Sequence, residues 1–235
     1  SVSTNYNTIV EAMKSKKVDV GFLPPTAYTL AHDQKAADLL LQAQRFGVNN
    51  DGSPNKKLVD DYKSEILVKK DSKIKSLKDL KGKKIALQDV TSTAGYTFPL
   101  ATLKKETGIN ATKDMKIVNV KGHDQAVISL LNGDVDAAAV FQDARTIVKK
   151  DQPNVFKDTK ILKLTEPIPN DTISVRPDMD KTFQEKLKKA FKEIAKSKKG
   201  HKIISEVYSH EGYTDTKDSN FDIVRKYEKE VQDMK

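Results

Sequence analysis

The sequence predicts an α/β fold made of two similar lobes, and three observations lead there. Strand-like and helix-like segments alternate along all 235 residues. No apolar run approaches the roughly 18 to 20 residues that a membrane-spanning helix needs. One pattern occurs twice: "AMKSKKVDVGFLPPTAY" and "LLNGDVDAAAVFQDAR" both pass from a helix end through a turn into Val-Asp, an apolar strand and a polar loop. With Val18-Asp19 laid on Val135-Asp136, the loop at 26–28 falls on the loop at 143–145.

The elements follow in order. "NYNTIVEAMKSKK" carries Ile9, Ala12, Met13 and Lys16 at helical spacing, and "VDVGFL" reads as a short buried strand. Further strands are predicted at 39–46, 64–69, 84–88, 115–120, 134–140, 160–165 and 172–176, with helices between them. Such alternation argues for parallel sheets covered by helices on both faces, with ligands held at the carboxyl ends of strands. Residues 66–87 are expected to cross from the first lobe to the second, and the chain to return near 170–176. The first lobe is then 1–67 with 174–235, and the second is 68–173. The first lobe lacks an opening strand and helix, so residues upstream of Ser1 are expected. In "KLKKAFKEIAKSKK" (186–199), Leu187, Ala190, Phe191 and Ile194 are predicted to face the core while the lysines face water.

Composition excludes several classes of function. The chain is 37% hydrophobic and 32% charged, as a folded and soluble protein is. Its net charge of +9 is nearly all lysine; the arginines are Arg45, Arg145, Arg176 and Arg225. Nucleic-acid recognition draws on arginine forks and interleaved aromatics, and neither clusters here, so no nucleic-acid partner is expected. The absence of cysteine removes disulfides, thiolate metal sites and cysteine nucleophiles. His32, His201 and His210 have no partner at metal-ligand spacing and read as surface residues, so no metal or cofactor is expected. There is no GxSxG elbow and no HExxH pair, and the chain does not read as an enzyme.

The informative stretch is "DVTSTAGYTFP", 89–99, between the strand-like "KIAL" and a helix. A strand running into Ser92-Thr93-Ala94-Gly95 and then a helix turns unpaired N–H groups and the positive end of the helix dipole toward one point. Ser92 and Thr93 add hydroxyls, and Gly95 lets backbone approach closely. That suits a tetrahedral oxyanion, although an ordinary Ser/Thr helix cap uses the same residues. The missing lysine argues against a nucleotide-binding P-loop.

With "PPTAY", "SLKDLKGKKIAL", "STAGY", "GHDQAVISLLNGDVDAA" and "IPNDTISVR", the chain resembles the phosphonate, phosphite and phosphate receptors of ABC importers over almost its whole length. The resemblance implies the type II periplasmic-binding-protein fold: two lobes, each a mixed sheet flanked by helices, with a cleft between. It implies that Tyr28 and Tyr62 reach the ligand from the first lobe, and that Ser92, Thr93 and the amide of Ala94 cradle the oxyanion from the second. It further implies that His123 donates to an oxygen, that Asp143 lines the pocket, and that Asp171 lies near the crossover. Ala94 departs from the pattern, since a third hydroxyl is common there. A monomer that hands a small oxyanion to a membrane permease is expected, lipid-anchored outside a Gram-positive cell. The alternatives are a receptor for another small anion or a pyrimidine-like solute, and an enzyme on a two-lobed scaffold.

Two carboxylates beside an oxyanion would repel it unless the ligand brings a P–OH proton or an ammonium for them to accept. Asp143 and Asp171 are therefore expected to act as acceptors that disfavour sulfate. Hinges are expected near Val68–Lys69 and Ile173.

Overall fold

The computed structural model describes residues 6–49 and 52–234. The strands are β1 (Val20–Leu23), β2 (Asp38–Val48), β3 (Pro54–Val59), β4 (Asp61–Tyr62), β5 (Ser64–Lys69), β6 (Lys84–Leu87), β7 (Lys116–Asn119), β8 (Ala137–Phe141), β9 (Thr159–Leu164), β10 (Ile168–Pro169), β11 (Thr172–Val175) and β12 (Gly212–Thr214). The chain divides into two compact units. The first runs to Gly47 and takes in Lys56–Asp61 and Pro169–Arg225; the second comprises Val48–Asn55, Tyr62–Ile168 and the chain from Lys226.

The first unit holds the strand order β1-β11-β2-β12, with β3 paired to β2. Here β11 is antiparallel to both β1 and β2, with Phe22 opposite Ile173 and Ile173 opposite Leu41. Leu40, Leu41, Ile173, Val175 and Tyr213 form its core, against which Leu187, Phe191 and Ala195 pack. Those three recur every four residues along the helix Lys181–Lys196, which starts at an Asp180 side chain capping the Phe183 amide. The stripe lies one residue beside the one expected. Ala190 and Ile194 are exposed, and Leu187 and Phe191 alone of the four predicted residues meet the core.

The second unit holds the order β7-β6-β8-β5-β9. Strand β6 is parallel to β7 and β8, whereas β5 runs antiparallel to β8 and β9. The sheet of the second unit is therefore mixed, as the family resemblance implies, whereas the β1–β11, β11–β2 and β2–β12 pairings of the first unit are all antiparallel, which simple alternation does not predict. Ala137, Ala138 and Ala139 in β8 are wholly buried. Their small side chains leave room for the helix His123–Asn132, whose Val127 and Leu130 enter the same core. That helix ends at Gly133, whose φ of +82° closes it in a left-handed turn at little cost for glycine.

Both hinge points expected from the sequence lie inside strands. Val68 lies inside β5 and pairs with Ala137 on one side and Lys160 on the other, and Ile173 is similarly flanked in β11. Residues hydrogen-bonded on both sides of a sheet cannot absorb the backbone rotations of a hinge. Of the five changes of unit, those at 61/62 and 168/169 lie nearest these points, a few residues ahead of each. The last residues also return to the second unit, where they had been expected in the first lobe.

Candidate oxyanion site

Strand β6 delivers the chain to a loop shaped by Asp89, whose Oδ1 accepts from the Thr91 amide at 3.0 Å and from the Thr91 hydroxyl at 2.7 Å. Ser92 follows as an N-cap, its Oγ accepting from the Gly95 amide at 3.1 Å. The hydroxyl is thus a true cap, and its own proton stays available for a further acceptor. Thr93–Thr97 forms one wide π-type turn that runs into the helix Phe98–Thr107. Thr93 and Ala94 stand in the first turn of this continuous helix, where backbone amides have no intrahelical acceptor.

The turn is fastened to the centre of the sheet. Ser64, the first residue of β5, is wholly buried and donates its hydroxyl to the Ala94 carbonyl at 2.5 Å. Its own amide donates to Thr165 Oγ1 at 3.1 Å. Ser64 pairs in register with Phe141 of β8, and the Phe141 amide donates to Nδ1 of His123 at 3.1 Å. An imidazole that accepts at Nδ1 carries its proton on Nε2 when neutral, so His123 presents an N–H donor. Two hydrogen bonds, His123 to Phe141 and Ser64 to Ala94, are thereby linked by the strand pairing of Phe141 with Ser64 and connect two of the predicted positions. Tyr62, half-buried in β4, lies two residues before Ser64 but pairs with β10 in a separate two-stranded sheet, and it falls in the second unit, not in the first lobe as the resemblance implies. Within the second unit the structure brings Ala94 and His123 to the Ser64–Phe141 pair, and Ser92 and Thr93 adjoin Ala94 along the chain.

The carboxylates stand differently. Asp143 belongs to the second unit too, yet its side chain has no exposed surface. Oδ1 accepts from the Arg145 amide at 2.9 Å and from Nε at 3.0 Å, and Oδ2 accepts from Nη2 at 2.6 Å. Arg145 in turn lies over the Phe156 ring at 4.5 Å. In the first unit, Asp171 Oδ2 accepts from Arg45 Nη2 at 2.8 Å and lies 3.5 Å from Nε2 of His210. Burial pushes the Asp171 carboxyl up, but Arg45 and His210 outweigh it and hold it below the usual carboxylate range. Neither acid is a bare acceptor, so the sequence-based account of Asp143 and Asp171 needs correcting: each is matched by an arginine.

Tyr28 lies in the helix Pro25–Asp33 of the first unit, wholly buried, and its hydroxyl donates to Asp218 Oδ1 at 2.8 Å. Arg225 completes this group through Nη2 to the same oxygen at 2.7 Å. Burial, then the bond to Asp218, pushes the Tyr28 hydroxyl well above its ordinary value. His210, expected at the surface, is 1% exposed and lies between Tyr208, Phe22 and Tyr213.

Sequence reasoning missed three residues of note. Ser64 gives no signal in an apolar strand. Glu65 beside it is wholly buried, and neither carboxyl oxygen has a hydrogen-bond partner among the described residues. Burial, and next the Asp143 carboxylate, push this acid to about 10, with Arg145 pulling the other way, so it is neutral at pH 7. A glutamate in the run "SEILVKK" was the available signal. Gln88, 4% exposed at the end of β6, likewise has neither amide heteroatom partnered among the described residues. An unpaired buried polar group costs about 1 to 3 kcal/mol. No group of His, Cys, Asp or Glu among the described residues could hold a metal ion, and none of their helices is long and apolar enough to cross a membrane.

A family model described as "ABC transporter, phosphonate, periplasmic substrate-binding protein" matches residues 1–221. The chain belongs to this family. Among its relatives, the phosphonates-binding periplasmic protein of Escherichia coli is 27% identical over 197 residues, covering 82% of this chain and 55% of that protein. The phosphate-import protein PhnD of Mycolicibacterium smegmatis is 31% identical over 146 residues, covering 59% of this chain and 43% of its own length. The chain thus spans about half the length of the curated relatives it matches. PhnD1 of Prochlorococcus marinus, solved in complex with methylphosphonate, superposes with a TM-score of 0.77 at 18% identity, over 98% of this chain and 84% of that one. The fold is that of type II periplasmic binding proteins.

Proposed function

We propose that this family member is the extracytoplasmic solute receptor of an ABC importer, taking a phosphonate, phosphite or phosphate-type oxyanion by hinge closure and passing it to a permease. The observation that carries this is the uncharged helix mouth at Ser92–Ala94, tied through Ser64 to the sheet and flanked by the His123 donor. Backbone amides, hydroxyls and an imidazole N–H satisfy an oxyanion without supplying opposite charge. The ligands named for the relatives support the same chemical class.

In this reading Ser92, Thr93, the Ala94 amide and His123 hold the oxygens, and Tyr62 contributes from β4. Tyr28 and Asp171 belong to the first unit and are matched there, Tyr28 to Asp218 and Asp171 to Arg45, so the proposed function does not rest on either of them. Asp143 is matched by Arg145 and does not bind the anion itself. The receptor releases its ligand unchanged and works as a monomer held to the outer face of the membrane by a lipid anchor.

Calorimetry against phosphite, phosphate, methylphosphonate, 2-aminoethylphosphonate and sulfate tests the proposal. Saturable binding of at least one phosphorus compound, well above sulfate, is expected, with an unchanged phosphorus NMR spectrum after incubation. Equal affinity for sulfate, or conversion of the ligand, would refute it.

A further inference from the structure

With Asp143 and Asp171 both matched by arginine, the proposed ligand's own proton has no evident acceptor at the helix mouth. Gln88 offers an unpartnered one beside the turn. It follows β6 directly, its backbone N–H donates to the Gly95 carbonyl at 3.1 Å, and its side chain lies against Gly95. A Cβ added to Gly95 would stand 1.5 Å from Gln88 Oε1 and 2.8 Å from Ser92 Oγ. The carboxamide and the capping hydroxyl therefore flank the same backbone atom of the cradle, and only glycine leaves room for them. Both heteroatoms of this side chain lie buried without a partner among the described residues.

We infer that Gln88 is a specificity-determining residue of the oxyanion site: its Nε2 donates to one ligand oxygen and its Oε1 accepts the proton of a P–OH. The inference rests on the function proposed above and deepens it. A neutral amide offers a donor and an acceptor side by side, which a carboxylate cannot. A singly protonated phosphorus oxyanion satisfies both groups. Sulfate, carrying no proton near neutral pH, satisfies the donor and leaves the carbonyl facing another oxygen. Discrimination then comes from matching hydrogen bonds, because a site built to bond a proton rejects the analogue that lacks one.

The test measures affinities of the wild type, Gln88→Leu and Gln88→Glu for methylphosphonate, phosphite, phosphate and sulfate, at pH values where methylphosphonate is a monoanion and a dianion. Thermal melts control for folding. Gln88→Leu should weaken methylphosphonate by about tenfold or more, change sulfate far less, and flatten the wild type's preference for the monoanion. Gln88→Glu keeps the shape and, once ionised, sets a carboxylate against the anion, so its affinity for all four ligands should fall more steeply with rising pH than the wild type's. A native-like Gln88→Leu with an unaltered methylphosphonate-to-sulfate ratio overturns the assignment. Should Gln88→Leu fail to fold, Gln88→Met takes its place, and an unaltered methylphosphonate-to-sulfate ratio there overturns the assignment equally. A wild type that binds none of the phosphorus compounds sinks the proposed function, and the role of Gln88 with it; binding with an unchanged ratio sinks the role of Gln88 alone.

Discussion

Replacing Glu65 by glutamine should stabilise the protein, increasingly so as the pH rises. The folded chain keeps this acid protonated up to about 10, against an ordinary value of 4.5. Between those limits the native state binds more protons at this position than the unfolded state does, so stability falls as pH rises through that window. Below about 4.5 both states are protonated and the position contributes nothing to the pH dependence. Each pH unit across the window is worth about 1.4 kcal/mol, which places the cost at pH 7 at about 3 kcal/mol. Glutamine keeps the length and the neutral carbonyl, has no proton to hold, and can donate toward Asp143. Urea unfolding of both proteins at pH 5, 7 and 9 should give curves that diverge by about 1.4 kcal/mol per pH unit, with the variant the more stable. Parallel pH profiles would refute the reasoning, because they would mean that Glu65 ionises in the fold as readily as outside it.

Three further outcomes are expected. Gly95→Ala places a methyl group on the Gln88 carboxamide and should cost about 1 to 3 kcal/mol by thermal melting, with a matching loss of oxyanion affinity by calorimetry. Asp171→Asn should cost about 3 kcal/mol at pH 7 in urea titrations, since it removes the carboxylate charge from beside Arg45 Nη2 and His210. The folded state lowers the Asp171 proton affinity, so its ion pair contributes above the ordinary carboxylate range; the deficit should fade as the wild-type carboxylate protonates in acid. Finally, oxyanion affinity should change less than about threefold between 50 and 500 mM sodium chloride in calorimetric titrations, because the cradle pairs dipoles and not charges with its guest.

Much of this fold was legible because periodicity and punctuation agree. The β5 run "SEILVKK" and the alanine-rich β8 announce buried strands, and Gly133 marks a helix end as a left-handed cap. The repeated Val-Asp also has a physical counterpart: β1 and β8 each follow it, and each pairs antiparallel with a strand distant in sequence. The short strands β3, β4, β10 and β12 escaped notice; β4 and β10 are two residues long and take their pairing from each other. At the candidate site, "STAGY" identified the helix mouth because capping hydroxyls and glycine have fixed uses there. What sequence could not give was who neutralises whom. Arg45 lies 126 positions from Asp171, and Asp218 lies 190 from Tyr28. Such pairings exist only once the chain has folded, so the acids looked unmatched and His210 looked exposed.

The path of the backbone bears on how this protein can be taken apart. The chain changes unit at 47/48, 55/56, 61/62, 168/169 and 225/226, so neither half is a continuous stretch. A gene fragment encoding either one alone would need its pieces spliced with artificial joints, and a simple truncation from the carboxyl end strips the second unit before it reaches the first. Engineers who wish to exchange binding preferences between relatives are therefore better served by grafting the 88–97 turn than by swapping whole halves.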